Sequence, residues 1–308
     1  MKLTIATRKS QLALWQSEFV MKSLKSKYEN LDISLQGYKT KGDIILDTPL
    51  AKIGGKGLFT KEIEEAILND QAQLAVHSLK DVPSFFPKGL CLAAVCKREV
   101  PNDVLLSQKY KNLNELPKNA TIGTTSLRRK MQLLILRPDL KIISLRGNIN
   151  SRINKLKNNE FDAIVLAYAG ITRLGFEKEI NFIYQFSLDE MIPSASQGIL
   201  GIESIKNNEI LKILSCLNDE KALIASSIER DFIKELNGGC QAPIGINANI
   251  KDDKIELRAI LGLPDGSKFL KEYKIILLDE AKNAGIKLAQ DFINKGAKEL
   301  LSQAERMI

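Results

Sequence analysis

Short apolar runs alternate with longer amphipathic stretches over the first two thirds of the chain, and this alternation constrains the fold more than any other feature. Leu3–Ala6, Ile33–Tyr38 and Ala72–His77 have the length of strands, and a helical pattern, including Thr60–Leu68, separates them. Strands that alternate with helices are typical of βαβ units. The pattern predicts one α/β unit before residue 100 and a second of similar size after it.

The local patterns predict individual elements in both units. In the first unit, Ser10 is expected to cap a helix that has Leu12, Trp15 and Phe19 on one face. In the second unit, helices are expected to begin at Thr125 and Ile149, and the expected strands are Val104–Leu106, Thr121–Gly123, Lys141–Leu145 and Ala163–Ala167. After Pro193, the run Gly198–Ile202 predicts a further strand.

The character of the sequence changes near residue 219. A helix over Glu220–Leu236 is expected to precede three alternating strands with turns at Lys251–Asp253 and Pro264–Gly266, and a final helix is expected over Asp279–Leu301. That order predicts an α+β domain. At roughly 150 residues per domain, a chain of 308 residues accommodates two or three domains.

Positive charge is concentrated in the second unit. The chain carries 45 Lys and Arg against 37 Asp and Glu, a formal charge of +8, and residues 118–180 alone have twelve basic and five acidic side chains. Arg128 and Arg129 follow a Gly-Thr-Thr-Ser run, Arg146 follows a predicted strand, and Arg173 is expected in a loop after a later strand. Strand ends and helix N-termini favour anions, so the arginines together predict one polyanion site. A solvated basic face remains an alternative for each arginine taken alone.

Composition argues against two other kinds of site. Aromatic residues make up 6% of the chain, and the basic region has neither aromatic interleaving nor a recognition helix, which disfavours nucleic acid as a partner. No metal site is expected, because His77 is the only histidine and the four cysteines have no CxxC spacing.

The N-terminal apolar run is too short for a signal peptide, and no segment approaches the roughly 20 apolar residues that cross a bilayer. We therefore expect a cytosolic protein with reduced thiols.

A glycine-rich segment, Lys52-Ile53-Gly54-Gly55-Lys56-Gly57-Leu58-Phe59, carries two lysines and an aromatic ring. It is not a phosphate-binding loop of the GxxxxGK[ST] type. It could close over an anion as a lid. An ordinary surface turn explains this motif alone somewhat better.

The stretch from Val76 to Pro83 reads as a buried strand that ends in Lys80 and Asp81. A lone carboxylate at a strand end could act as general acid and base or stabilise a developing cation. A strand-end ion pair is the simpler interpretation of Asp81 taken alone. His77 is expected to point inward as a structural residue.

Cys240 follows two glycines, which leave the backbone free to present the thiol on a loop. Such a thiol could be a nucleophile or a covalent anchor for a prosthetic group, and an inert buried thiol is the alternative. Cys91, Cys96 and Cys216 lie in apolar patterns and are expected to be buried and inert.

Seven of these motifs, in this order, resemble the porphobilinogen deaminase family, also called hydroxymethylbilane synthases. The matching stretches are residues 6–16, 54–59, 76–83, 123–129, 144–148, 169–175 and 238–245. Each stretch is weak evidence by itself, but the ordered set is very specific. The last 60 or so residues match only in general character.

The resemblance implies a transferase of tetrapyrrole and heme biosynthesis. Such an enzyme joins four molecules of porphobilinogen head to tail into hydroxymethylbilane and releases four ammonia. It implies a dipyrromethane cofactor held through a thioether at Cys240 and a catalytic carboxylate at Asp81. Each pyrrole unit carries two carboxylates, so an arginine-lined cleft suits this substrate. Loss of ammonia leaves a cation that a nearby carboxylate stabilises.

The resemblance also assigns binding roles by position. Residues that contact the cofactor are implied at Lys80, Asp81, Ser126, Arg128, Arg129, Arg146 and Gly147. Substrate carboxylates are implied to bind at Arg8, Ser10, Arg146, Arg152 and Arg173. The lid is implied to include Lys52, Lys56 and Phe59.

The implied fold is α/β, with two type II periplasmic-binding-protein-like domains plus a small α+β C-terminal domain. The expected divisions are residues 1–97 with 196–217, residues 98–195, and residues 218–308. A cytoplasmic monomer without nucleic-acid or membrane partners is implied. Ser196-Gln197-Gly198 departs from the expected Gly-Gln-Gly, and Ile202-Glu203-Ser204 lacks the expected Cys or Ala followed by Arg, which affects only the hinge.

Two alternatives come from other classes of protein. A cytosolic anion sensor on the periplasmic-binding fold predicts no adduct on Cys240 and no need for Asp81. A nucleic-acid binder predicts that DNA or RNA binding weakens steeply with salt.

Overall fold

The fold is taken from a computed structural model that describes residues 2–44, 57–239 and 242–307. The chain divides into two compact units. Unit 1 comprises Met1–Glu99 and Gly198–Leu223, and unit 2 comprises Val100–Gln197 and Ile224–Ile308. In the part of the chain described, no helix is both long and apolar enough to cross a membrane.

Strands and helices alternate through most of the described chain. The strands are β1 (Lys2–Arg8), β2 (Asp32–Tyr38), β3 (Leu74–Ser78), β4 (Leu90–Val95), β5 (Asp103–Ser107), β6 (Thr121–Gly123), β7 (Lys141–Ile143), β8 (Ala163–Ala167), β9 (Phe182–Gln185), β10 (Leu200–Ile205), β11 (Ile244–Lys251), β12 (Lys254–Gly262) and β13 (Phe269–Leu277). The α-helices are α1 (Gln11–Lys27), α2 (Lys41–Ile44), α3 (Lys61–Leu68), α4 (Leu127–Leu136), α5 (Ile149–Lys157), α6 (Tyr168–Leu174), α7 (Asn208–Leu214), α8 (Glu220–Glu235), α9 (Ala284–Asn294) and α10 (Ala297–Arg306).

Unit 1 is built on a five-stranded mixed sheet in the order β2-β1-β3-β10-β4. Strand β1 runs parallel to both β2 and β3, whereas β10 runs antiparallel to β3 and β4. Leu3, Ile5, Leu74 and Ile202 are buried on the sheet and pack with Val20 of α1. Because β1 and β3 are parallel neighbours, the residues that follow them lie at the same edge of the sheet.

Unit 2 contains a sheet with the same pattern, in the order β7-β6-β8-β5-β9. Strand β6 is parallel to β7 and β8, and β5 is antiparallel to β8 and β9. Helices α4, α5 and α6 follow β6, β7 and β8 in sequence. The N-termini of these helices therefore start from the carboxyl ends of three parallel strands, where α/β proteins bind ligands.

The C-terminal part of unit 2 is an antiparallel sheet in the order β11-β12-β13. Its apolar face packs with α8 and α9, whose Phe232 and Phe292 rings meet edge to face at 5.3 Å. The buried carboxylate of Glu229 accepts hydrogen bonds from the backbone N–H of Ser196 (2.5 Å) and of Ala248 (2.7 Å). Glu229 thus ties β11 to the segment where Ser196 stands in place of the expected glycine, and Ser196 adopts φ +60°.

The predicted fold class is confirmed. Two five-stranded sheets with intervening helices form the α/β part, and a three-stranded sheet with helices forms the α+β C-terminal region. The predicted single helix over Asp279–Leu301 is wrong. A short 3-10 turn at Leu278–Ala281 comes before α9 and α10. The left-handed backbone at Asn283 (φ +62°) and Gly296 (φ +91°) interrupts the helical path.

Two local predictions are also corrected. The buried face of α1 consists of Ala13, Gln16, Ser17, Val20 and Leu24. Phe19 is 43% exposed and stacks on Trp15 with ring centroids 5.6 Å apart, because these two residues lie beside the stripe that meets the sheet. Arg173 lies in the last turn of α6 rather than in a loop, because the helix starts directly after β8 and ends only at Gly175 (φ +70°).

The thiols differ from the expectation in part. Cys96 is buried, as predicted, and Cys91 is half-buried. Cys216 is exposed, because it lies in a short 3-10 turn at Ser215–Leu217 after α7.

Candidate active site

In unit 1 the candidate residues follow two neighbouring parallel strands. Arg8 is the last residue of β1, and Ser10 caps α1 by accepting a hydrogen bond from the backbone N–H of Ala13 (3.4 Å). Lys80 and Asp81 lie in the 3-10 turn Leu79–Asp81 that directly follows β3. The pairing of β1 with β3 therefore brings these two motifs to one edge of the sheet.

The turn that carries Asp81 is anchored by its apolar neighbours. Leu79 is fully buried and Val82 is 4% exposed, and both pack with Val95 and Ile199. The backbone N–H of Leu79 donates to the carbonyl oxygen of Ile199 (3.0 Å). The Asp81 side chain is exposed while the backbone beneath it is held on both sides, which suits a group that must meet a substrate in a fixed position.

Asp81 shares a cavity of about 60 Å³ with residues from β1, α1 and β3. Its lining consists of Arg8, Ser10, Leu12, Ala13, Gln16, Phe59, Thr60, Val76, His77, Ser78 and Asp81. Two hydrogen bonds, one partly buried and one buried, hold side chains of the lining in place. The Gln16 amide donates to the Ser78 hydroxyl (2.8 Å), and His77 Nε2 lies 3.0 Å from Glu203 Oε2. As expected, His77 is buried and satisfied by a structural partner.

Arg8 is enclosed by two side chains that the sequence did not link to it. Its Nε donates to Asp43 Oδ2 (3.2 Å) and its Nη2 donates to Asp43 Oδ1, which makes a bidentate ion pair. The Phe59 ring covers the guanidinium, with its centroid 4.5 Å from Cζ. Partial burial alone raises the pKa of Asp43, but the hydrogen bonds and charge of Arg8 and the hydrogen bonds from Thr40 outweigh it and lower that pKa.

In unit 2 the candidate residues surround the N-termini of α4 and α5. Ser126 caps α4 by accepting from the backbone N–H of Arg129 (3.4 Å). Arg146 and Gly147 lie between β7 and α5, and the Nε of Arg152 donates to the carbonyl oxygen of Gly147 (2.8 Å). Gly147 has φ +105°, and a Cβ there would lie 2.2 Å from the Ser151 hydroxyl, so glycine is required at this position.

Arg128 and Arg129 bind a carboxylate of the chain itself. Arg128 Nη1 donates to Asp103 Oδ2 (2.6 Å), and Arg129 Nη2 donates to Asp103 Oδ1 (2.7 Å). The guanidinium-bearing side chains are 5% and 7% exposed, and Asp103 is fully buried. Burial raises the pKa of Asp103, but the charges and hydrogen bonds of the two arginines hold it well below its usual range.

This buried cluster has an unequal charge. Two guanidinium groups face one carboxylate, and the amide of Gln197 donates a further hydrogen bond to Asp103 (3.0 Å). The sequence suggested that Arg128 and Arg129 meet external anions, and the structure shows that Asp103 takes up much of their hydrogen-bonding capacity. One positive charge remains uncompensated by Asp103.

Sequence reasoning missed Asp43 and Asp103. Asp43 lies inside the four-residue helix α2, and Asp103 is the first residue of β5. A single acidic residue at such a position belongs to no periodic pattern and to no recognisable motif. Their roles follow from contacts with residues 25 to 35 positions away. Lys52, Lys56 and Cys240 lie outside the described residues, so their predicted roles stay predictions.

Charged side chains that follow neighbouring parallel strands of an α/β sheet are typical of proteins that bind or convert a small molecule. Two sequence families match the chain. Residues 3–212 match "Porphobilinogen deaminase, dipyromethane cofactor binding domain", and residues 223–294 match "Porphobilinogen deaminase, C-terminal domain".

Curated relatives match over the full length. The porphobilinogen deaminase of Campylobacter jejuni serotype O:6 is 67% identical over 308 residues, which is 100% of both chains. That of Campylobacter lari is 66% identical over the same length, and that of Campylobacter concisus is 56% identical over 306 residues, 99% of both chains.

Solved structures of binding proteins are similar at low sequence identity. The methionine-binding protein MetQ aligns with 72% of this chain and 92% of its own, at 14% identity and a TM-score of 0.46. An arginine-specific periplasmic binding protein of Salmonella typhimurium aligns with 72% of this chain and 93% of its own, at 14% identity and a TM-score of 0.40.

The chain belongs to the porphobilinogen deaminase family. It is a transferase of porphyrin and heme biosynthesis that polymerises four porphobilinogen molecules into hydroxymethylbilane, with release of four ammonia, on a covalently bound dipyrromethane. The family, the enzyme class and the cofactor predicted from the sequence are confirmed.

Proposed function

We propose that Asp81 is the catalytic group of this transferase. Its exposed carboxylate follows β3 on a buried, anchored turn and lines the same cavity as Arg8, and this arrangement carries the proposal. Asp81 donates a proton to the departing amino group of porphobilinogen and stabilises the positive charge that develops on the substrate pyrrole. It then accepts the proton that the attacked ring releases when aromaticity returns.

The carboxylates of the substrate are bound by basic and hydroxyl side chains in both units. In unit 1 these are Arg8 and Ser10. In unit 2 they are Arg146, Arg152 and Arg173, each half-buried and each at or near the end of a helix. Half-buried guanidinium groups interact more strongly with carboxylates than fully solvated ones, because less water screens the charge.

The cofactor is held by Cys240 through a thioether, with Lys80, Asp81, Ser126, Arg128, Arg129, Arg146 and Gly147 around it. The donor set fits a group rich in carboxylates: Arg128 and Arg129 together exceed Asp103 by one charge, and Gly147 leaves room for close approach to the backbone. When bound, the dipyrromethane supplies the pyrrole carbon to which substrate units are added, and this tether makes each addition effectively intramolecular.

The remaining assignments describe the molecule as a whole. Phe59 is proposed as part of a lid with Lys52 and Lys56, supported by its position on the Arg8 guanidinium. Three domains are proposed, over residues 1–97 with 196–217, 98–195 and 218–308. The enzyme is proposed to be a cytoplasmic monomer that acts on a small molecule and binds neither nucleic acid nor membrane.

The test compares Asp81→Asn with Asp70→Asn. Asp81→Asn is expected to keep the fold and the cofactor and to lower kcat for ammonia release by about 10²–10⁴-fold, because the amide neither donates nor accepts the transferred proton. Asp70 is an exposed residue after α3 whose φ of +58° asparagine also adopts, so Asp70→Asn is expected to behave as wild type.

Intact mass is the second readout of the same experiment. Wild type and Asp81→Asn are expected to carry the mass of the dipyrromethane, and Cys240→Ser is expected to lack it. Normal ammonia release by Asp81→Asn would contradict the role of Asp81. A pyrrole adduct on Cys240→Ser would contradict attachment at residue 240.

A further inference from the structure

Within residues 2–44, 57–239 and 242–307, the Arg8 guanidinium uses only one of its two hydrogen-bonding edges. The Nε and Nη2 edge is bound to both oxygens of Asp43. Among the described residues, no hydrogen bond involves Nη1. A guanidinium is planar with donors in a fixed fork, so an arginine held along its Nε edge presents its Nη1 and Nη2 end in a defined direction.

Asp43 is itself held in place. Its Oδ2 accepts hydrogen bonds from the Thr40 hydroxyl (2.8 Å) and from the Thr40 backbone N–H (3.3 Å), and Thr40 is fully buried. The Asp43 side chain is only 26% exposed. A carboxylate with this many fixed donors keeps its orientation, so it also restricts the side chain that it binds.

Phe59 closes one face of the Arg8 guanidinium, and Gly42 makes this possible. A Cβ at residue 42 would lie 2.2 Å from Cε1 of the Phe59 ring, so no other residue allows the ring to keep its position. The backbone N–H of Gly42 also donates to the carbonyl oxygen of Leu58 (2.9 Å). Arg8 is therefore fixed along an edge by Asp43 and on a face by Phe59.

Arg8 itself lines the cavity that contains Asp81. Arg8, Ser10, Phe59 and Asp81 line that cavity, whereas Asp43 is not part of the lining. The bound edge of the guanidinium thus faces Asp43, outside the lining, and among the described residues the Nη1 donors have no hydrogen-bond acceptor.

We propose that Asp43 is a positioning residue, which aligns Arg8 so that its Nη1 and Nη2 end binds a carboxylate of porphobilinogen. The proposal rests on the assignment of Arg8 and Asp81 made above. It adds that substrate affinity depends on a carboxylate that does not touch the substrate. A competing role is chemically possible, in which Asp43 occupies Arg8 and must be displaced by the substrate, and the two roles predict opposite changes in KM.

Unit 2 contains a matched control pair. Arg137 Nε and Nη2 donate to Asp139 Oδ1 and Oδ2, both at 2.8 Å, in the same side-on geometry. Side-chain exposure is also similar, at 21% and 25% for this pair against 25% and 26% for Arg8 and Asp43. The Arg137 pair lies at the end of α4 and contributes no residue to the cavity around Asp81.

The experiment measures KM and kcat for porphobilinogen with Asp43→Asn, Thr40→Val and Asp139→Asn holoenzymes whose dipyrromethane is verified by intact mass. Asp43→Asn is expected to raise KM about tenfold while kcat changes less than about threefold, because a charge-assisted contact is lost in binding and not at the reacting atoms. Thr40→Val removes only the hydroxyl donor to Asp43 and is expected to raise KM by a smaller factor. Asp139→Asn is expected to leave both constants unchanged.

Each other result counts against the proposal. A fall in KM with Asp43→Asn would show that Asp43 competes with the substrate for Arg8. An unchanged KM would show that Asp43 has no role in substrate binding. Equal effects of Asp43→Asn and Asp139→Asn would show a general loss of stability. If Asp43→Asn does not retain the cofactor, an unchanged KM in Thr40→Val overturns the proposal. Asp81→Asn separates the two hypotheses: if it abolishes turnover while the Asp43 variants keep KM, only this inference fails.

Discussion

At the level of single residues, the arginines differ in how they pair with carboxylates of the chain itself. Arg128 and Arg129 are both bound to the fully buried Asp103. Arg8 is half-buried and, among the residues that the structure describes, binds Asp43 along one edge. We therefore expect Asp103 to act mainly on stability, and we propose that Asp43 acts on the geometry of Arg8.

Asp103→Asn is expected to lower the free energy of unfolding by about 3–5 kcal/mol near neutral pH, because two buried guanidinium groups lose their counter-charge. The pKa of Asp103 is lower in the folded state than in the unfolded chain. The contribution of the carboxylate is therefore present above about pH 4 and is lost as pH falls through the folded pKa. Urea unfolding at neutral and acidic pH measures this difference.

The control for Asp103→Asn is Glu179→Gln. Glu179 is 47% exposed and pairs with Lys157 at the surface, so its removal is expected to have a much smaller effect. A difference between wild type and Asp103→Asn that persists undiminished at strongly acid pH would contradict the assigned cause.

At the scale of elements, close helix packing in the C-terminal region depends on a glycine. A Cβ on Gly285 of α9 would lie 2.0 Å from the carbonyl oxygen of Ile228 and 3.0 Å from the backbone nitrogen of Phe232, both in α8. Phe232 of α8 and Phe292 of α9 also make an edge-to-face contact between the same two helices. The sequence predicted α8 well but joined α9 to α10, since periodicity alone does not reveal a left-handed residue such as Gly296.

Gly285→Ala is expected to lower the free energy of unfolding by about 1–3 kcal/mol, because the added methyl group forces α9 away from the backbone of α8. Gln290→Ala on the exposed face of α9 is the control and is expected to change the free energy by less than about 0.5 kcal/mol. Thermal unfolding of both variants measures the effect. Equal stability of the two variants would show that the helices separate without cost.

At the scale of the whole molecule, the same strand order occurs in both units, and in both the predicted binding residues follow parallel strands. Fewer basic side chains lack an acidic partner within the chain than a count of residues suggests. In residues 118–180, Arg128, Arg129, Arg137 and Lys157 all form ion pairs inside the chain. The number of basic side chains in this region that have no acidic partner is therefore smaller than the number of basic residues.

Salt is expected to raise KM for porphobilinogen more than it lowers kcat. Partly exposed guanidinium groups attract substrate carboxylates through a solvent that salt screens over about 10 Å at 0.1 M ionic strength and about 3 Å at 1 M. Steady-state kinetics across this range, with sodium chloride and choline chloride compared to exclude a specific ion effect, measure the change. A KM independent of ionic strength would mean that these groups contribute little to binding.

The family, the reaction and the types of most elements could be predicted from the chain alone, because periodicity and ordered motifs are local properties of a chain. The partner of each charge could be read only from the folded molecule. Asp43 is 35 positions from Arg8, and Asp103 is 25 positions from Arg128. The tertiary structure also decided that α1 buries Val20 and leaves Phe19 exposed. Such choices depend on how sheets and helices pack together, and packing joins residues whose separation along the chain leaves no local signal.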